Sequence, residues 1–165
     1  MSTIERIEKV TLKFKRPRFI GKNARKGDHG DTVRDPVVRI HSSEGAIGVG
    51  WSRITEEGAS KLIGQPLDTL FKSESGCTEA GLPIDLALWD LSAKLEGQPL
   101  YQLLGARGSR EVEVYDGSIY IDDIGASDAE AIQIFQKEVE TGQSFGYNNF
   151  KIKMGRGARW MGIDE

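Results

Sequence analysis

The sequence lacks most of the features that would assign a function class at once. A single cysteine, Cys77, stands among 165 residues. It can form no internal disulfide and has no thiol partner for a metal site, which fits a reducing cytosol. No run approaches the ~18 uninterrupted apolar residues that a membrane-crossing helix needs. The opening residues, MSTIERIEK, break their apolar positions with charge, unlike a secretory signal. The net charge of −3 gives no general attraction to nucleic acid. His29 and His41 are too far apart for metal-ligand spacing, and His41 reads as a surface residue of a strand. Neither a Gly-x-Ser-x-Gly nucleophile elbow nor a P-loop or dinucleotide fingerprint occurs, and Gly155-Arg-Gly157 lacks their spacing. No internal repeat is visible. With 38% hydrophobic and 28% charged residues, the chain is expected to be soluble, globular and cytoplasmic.

The pattern that is present divides into two parts. Val10, Leu12 and Phe14 alternate with Thr11, Lys13 and Lys15, the period of a half-buried strand. Val37–His41 and Ala46–Trp51 are two further strands, and Ser42-Ser-Glu-Gly45 between them suits a hairpin turn. A small antiparallel sheet of three strands follows. Between the first strand and this hairpin, roughly Arg16 to Asp35 reads as a long connection. Seven basic residues over Lys15–Arg34 face only Asp28 and Asp31, a local charge of about +5. Such a segment is either a solvated surface loop or a lid that draws in an anion. Glu56–Gly64 predicts a short helix ended by glycine. Ile84, Ala87, Leu88, Leu91 and Leu95 form a helical stripe opened by Pro83 and closed by Gly97. Trp89 beside it reads as core, and Pro99–Gly105 as one or two further turns.

Past Gly105 the pattern changes. Glu111–Tyr115 alternates as a strand, and Ser127-Asp-Ala-Glu130 is a capping box. The helix it opens carries Ile132, Phe135 and Val139 on one face. Asn149–Met154 is a second strand. Strand, helix and strand make one βαβ unit with parallel strands. The chain is therefore expected to hold an α+β domain over 1–108 and the first part of an α/β domain over 109–165.

Lys151 and Lys153 are the residues most able to carry chemistry. At i and i+2 on a strand they project to one face. In solvent they are only a polar surface. In a confined site, two ammonium groups disfavour each other's protonation, and a lysine so placed is a candidate general base. Asp122-Asp123 could attract a metal, but adjacent carboxylates at a strand end are ordinarily solvated.

Three stretches together resemble the enolase superfamily, in its mandelate racemase / muconate lactonizing enzyme group: Gly81–Ala106 (GLPIDLALWDLSAKLEGQPLYQLLGA), Val112–Ile121 (VEVYDGSIYI) and Phe150–Met161 (FKIKMGRGARWM). The resemblance implies an α+β capping domain followed by the first βαβ unit of a TIM-type barrel, with Mg²⁺ as cofactor. It implies abstraction of the proton α to a carboxylate, by an acid-sugar dehydratase, racemase or cycloisomerase. On it, Lys153 is the base, with Lys151 tuning it and contacting the substrate carboxylate. Arg25 and His29 of the long connection, Trp51 and Arg53, and Ser118 and Tyr120 would line the substrate. The family's three acidic metal ligands would lie beyond residue 165, since a full barrel needs ~250 residues. This chain alone is then expected to show no turnover. The small carboxylate partner would be a sugar acid, and the complete protein a homo-oligomer without nucleic-acid or membrane partners. The competing class is a non-enzymatic α+β binding or oligomerisation module.

Overall fold

A computed structural model describes residues 2–23, 27–120, 123 and 125–153. The chain forms two compact units, one of Met1–Phe14 with Val33–Gly108, the other of Lys15–Thr32 with Ser109–Glu165. Each is described by itself.

Strands β1 (Ile4–Asn23), β2 (Gly27–Ser42) and β3 (Ile47–Trp51) form a sheet in that order, and the first unit holds β3 with the parts of β1 and β2 outside 15–32. The hairpin between β2 and β3 pairs Val37 with Trp51 through to His41 with Ile47. Its turn needs Gly45, whose φ is +81°. Helix α1 (Glu56–Leu62) is capped by the Thr55 hydroxyl, which accepts from the Gly58 N–H. Helix α2 (Leu67–Leu70), strands β4 (Phe71–Lys72) and β5 (Gly76–Cys77) and a 3₁₀ turn at Leu82–Ile84 follow. Helix α3 (Asp85–Leu95) then buries Ala87, Leu88 and Leu91 against Val38, Ile40, Ile4 and Ile84. Trp89 packs at the edge of this core, its ring 4.5 Å from Phe71 in a T-shaped contact. Helix α4 (Leu100–Leu103) closes the unit.

The helix lies almost on the strand. A Cβ on Gly48 or Gly50 would come within 2.3 Å of the Ala87 backbone. The outer edge of β3 is also closed by α3: Asp90 accepts from the Val49 N–H at 2.7 Å, and the Lys94 ammonium donates to the Ile47 carbonyl at 2.8 Å. Two side chains one helical turn apart thus satisfy edge groups that would otherwise invite a foreign strand.

In the second unit, β6 (Asp116–Ile119) and β7 (Phe150–Ile152) are parallel, with α5 (Asp128–Ser144) between them in sequence. The capping box of Ser127 and Glu130 is formed in both directions. Gly142 is needed for close approach, since a Cβ there would lie 2.6 Å from both Asp116 Oδ2 and Phe150 Cε1.

Several expectations change. The long connection at 16–35 is not a loop: β1 continues to Asn23 and β2 begins at Gly27. Pro17 lies within β1, an edge strand, where a missing N–H is tolerated. Val10, Leu12 and Phe14 alternate in a strand but stay 38–49% exposed rather than half-buried. The strand foreseen at Glu111–Tyr115 lies at 116–119, because it is this stretch that meets β7; Val112 and Val114 remain exposed. Ile132 of α5 is also exposed, while the helix buries Ala131 and Gly142. Asp123 is buried rather than solvated. No described helix is long and apolar enough to cross a membrane.

Candidate functional site

The two parallel strands end on chemistry. Tyr120 directly follows β6 and Lys153 directly follows β7, and the Lys153 N–H donates to the Ile119 carbonyl at 3.2 Å. That bond sets the two strand ends side by side. The Lys153 ammonium lies 4.0 Å from the centroid of the Tyr120 ring. His29, near the start of β2, packs on the same tyrosine with ring centroids 4.5 Å apart. Three residues that are far apart in sequence therefore gather at the C-terminal ends of the parallel strands, within one compact unit. All three are partly buried, so the group is neither a free surface patch nor a sealed core.

Lys151 takes a different place. It is exposed, with its Nζ 5.6 Å from the Tyr115 ring. The two lysines thus rest on two tyrosines, not on one. Ser118, between them on β6, is held by Asp116: Oδ1 accepts from the Ser118 N–H at 2.8 Å and from its hydroxyl. Trp51 and Arg53 belong to the first unit, where the Arg53 guanidinium stacks 5.2 Å from the Trp51 ring and both side chains are exposed. Arg25 lies outside the described residues, as do Asp122 and Gly155–Gly157.

Sequence reading missed Tyr115, Asp116 and Arg18. Arg18 on β1 pairs with Glu138 of α5, and its Nη1 is 3.9 Å from Asp116 Oδ2. The available signal for Asp116 was a lone acid at the start of an otherwise uncharged stretch, DGSIYI.

Away from this group, His41 is not a plain surface residue. Its Nε2 lies 3.2 Å from Glu8, which Arg39 also meets at 3.2 Å. The hydrogen bond from His41 acts first, with the Arg6 and Arg39 charges, to hold the Glu8 carboxyl below its ordinary range against a smaller opposing effect of burial. Cys77 is pushed up to about 12, by burial first and then by the neighbouring Asp85 carboxylate. Among the described residues, no group of three or more His, Cys, Asp or Glu side chains is placed to hold a metal ion.

The family model described as mandelate racemase / muconate lactonizing enzyme, N-terminal domain, matches residues 31–105. The matched stretch is similar to that family's N-terminal domain. The cis-3-hydroxy-L-proline dehydratase of Roseibium aggregatum is 40% identical over 76 residues, 46% of this chain and 18% of the dehydratase. The D-mannonate dehydratase of Caulobacter sp. strain K31 is 38% identical over 72 residues, 44% of this chain and 16% of that enzyme. A galacturonate dehydratase from Geobacillus sp., solved with D-galacturonate and 5-keto-4-deoxy-D-galacturonate, is similar over 99% of this chain at 34% identity, with a TM-score of 0.82. A mutant galacturonate dehydratase from Geobacillus sp. is complexed with Mg. The chain covers 44% of the galacturonate dehydratase, less than half of its length. The three-stranded sheet and its helices match the N-terminal capping domain of these enzymes.

Proposed function

We propose that the chain forms the capping domain and the first barrel strands of an acid-sugar dehydratase, in which Lys153 takes the proton α to the substrate carboxylate. The domains divide near residue 108, with Lys15–Thr32 of β1 and β2 grouped with the second. The observation that carries the reading is the meeting of Lys153, Tyr120 and His29 at the C-terminal ends of β6 and β7. In barrels built from parallel strands and helices, active sites sit at that end. The amine of Lys153 is within reach of whatever rests against Tyr120, and it can accept a proton at Nζ and hand it on. The Ser118 hydroxyl, aligned by Asp116, and Tyr120 line the substrate on β6. Lys151 offers a positive charge to the carboxylate from the neighbouring strand, and His29 closes over Tyr120 from β2. Trp51, Arg53 and Arg25 are assigned to substrate specificity by the family resemblance.

The relatives' Mg does not fit the described residues, which supply no ligand set, and no step is assigned to it. The partner is a small carboxylate such as a hexuronate or hexonate. The working protein is a cytoplasmic homo-oligomer that needs neither nucleic acid nor membrane. Proton exchange in D₂O tests the assignment on the full-length enzyme that carries these residues, with Mg²⁺ and D-galacturonate, D-mannonate and cis-3-hydroxy-L-proline in turn, while the 165-residue chain by itself is expected to show none. One of the first two is expected to exchange its α-proton, and Lys153→Ala to slow this by about 10³-fold. Full exchange by the Lys153→Ala protein would remove Lys153 as base. Exchange of the hydroxyproline alone would replace the acid-sugar class with an amino acid.

A further inference from the structure

Asp116 is 6% exposed and makes contacts that its place on a strand does not require. Through Oδ1 it holds both the amide and the hydroxyl of Ser118, two residues further along β6. Through Oδ2 it faces Arg18, brought in from β1 and only 13% exposed at its side chain. Arg18 also donates to the Glu138 carboxylate, 120 residues away in sequence. A cavity of about 270 Å³ adjoins it, lined by Pro17, Ile20, Asp116, Ser118, Phe145 and Tyr147 among others. The charged partners of this arginine are the Asp116 and Glu138 carboxylates. On the other side, Gly142 stands so close that Asp116 has no room to swing towards α5.

We propose that Asp116 is a positioning residue that couples Arg18 of β1 to Ser118 of β6. One buried carboxylate thereby sets the substrate-lining hydroxyl in register with the part of the β1–β2 sheet that bears His29. Neither Asp116 nor Arg18 touches substrate. The inference rests on the proposal that Ser118, Tyr120 and His29 line the substrate, and it extends that proposal to how the lining is held. A buried carboxylate that loses its cationic partner, or the reverse, is a charge without compensation, so the two are expected to act as one unit.

Asp116→Asn separates the two contacts, because an amide oxygen still accepts from Ser118 while the charge opposite Arg18 is gone. The expected result is a KM for the turned-over carboxylate raised about tenfold, with kcat within about twofold. Amide hydrogen exchange at residues 16–20 should rise about tenfold while Ser118 stays protected. Arg18→Ala should reproduce both changes, Arg18→Lys should restore most of the KM, and D116N with R18A together should be no worse than either alone. Unchanged exchange at 16–20 in Asp116→Asn, or additive effects in the double variant, would overturn the coupling. The exchange readout needs no turnover. A protein with no acid-sugar activity, or one indifferent to Lys153→Ala, therefore sinks the proposed function while leaving this inference decided by the amides of β1.

Discussion

The first unit buries a continuous set of apolar side chains: Ile4, Val38, Ile40, Ile84, Leu88 and Leu91 all fall at 1% exposure or below. In the second unit, the buried hydrophobic side chains among the described residues are Ile119 and Ala131, and the buried polar ones are the acids Asp116 and Asp123. One region is held by area removed from water, which is non-directional and tolerant of polar change at its surface. The other is held at Asp116 and Arg18 by charge and hydrogen bonding, which depend on direction and partner. The difference matches the roles proposed for them. A capping layer needs only to keep its shape, whereas a strand end that handles substrate must present particular atoms in particular places.

The contrast can be tested by substitutions of graded cost. Leu88→Ala in the first core is expected to destabilise that unit by about 3 kcal/mol. Ile132→Ala on the exposed face of α5 should cost less than about 0.5 kcal/mol. Urea titration followed by peptide-resolved amide exchange reads the two units separately. Equal losses would end the claim that only the first unit depends on an apolar core.

Gly50→Ala comes next, at about 2 kcal/mol, because the new methyl meets the backbone of α3 at 2.3 Å and backbone cannot rotate away. A stability within 0.3 kcal/mol of the parent would mean that strand and helix are not in the close contact described. In the second unit, Ser127→Ala removes one half of the capping box and should cost about 1 kcal/mol, seen as faster exchange in the first turn of α5. A change spread evenly along the whole helix would show instead that α5 unfolds as a block.

The smallest effect concerns Cys77. Its folded-state value near 12 lies above the ordinary 9.0. The folded state therefore keeps a proton that the unfolded chain releases. Its contribution to stability is complete below about pH 9 and disappears as pH rises towards 12. Alkylation by iodoacetamide at pH 8 should be several-fold slower in the folded than in the urea-unfolded protein. Asp85→Asn should raise the folded rate, though not to the unfolded level, since burial is the larger cause. A folded rate equal to the unfolded one would contradict the burial of this thiol.

Much of the molecule was legible in local sequence. The Gly45 turn, the Ser127 cap, the stripe on α3 and the glycines that end α1, α3 and α4 each depend on a few neighbouring residues. Their energetics are settled within a turn or a hairpin, so the pattern and the structure agree. The Lys-x-Lys pair was legible as a candidate, and so was Tyr120. That Lys153 rests on Tyr120 with His29 beside it was not legible, because nothing in a local pattern records which strand end meets which other strand.

Sequence alone thus determined the β2–β3 hairpin, a three-stranded antiparallel sheet, the main helix and the parallel βαβ unit, through hydrophobic period and turn chemistry. Tertiary structure decided where those elements begin and what their exposed residues meet. It turned residues 16–23 and 27–35 from a basic loop into strand, because β1 and β2 are hydrogen-bonded neighbours in one sheet and backbone groups must find partners. It moved the strand from Glu111–Tyr115 to Asp116–Ile119, because a parallel strand forms only where its partner lies. It also set Arg18 against Asp116 and Glu138, since a desolvated charge must find its opposite wherever in the chain that opposite stands.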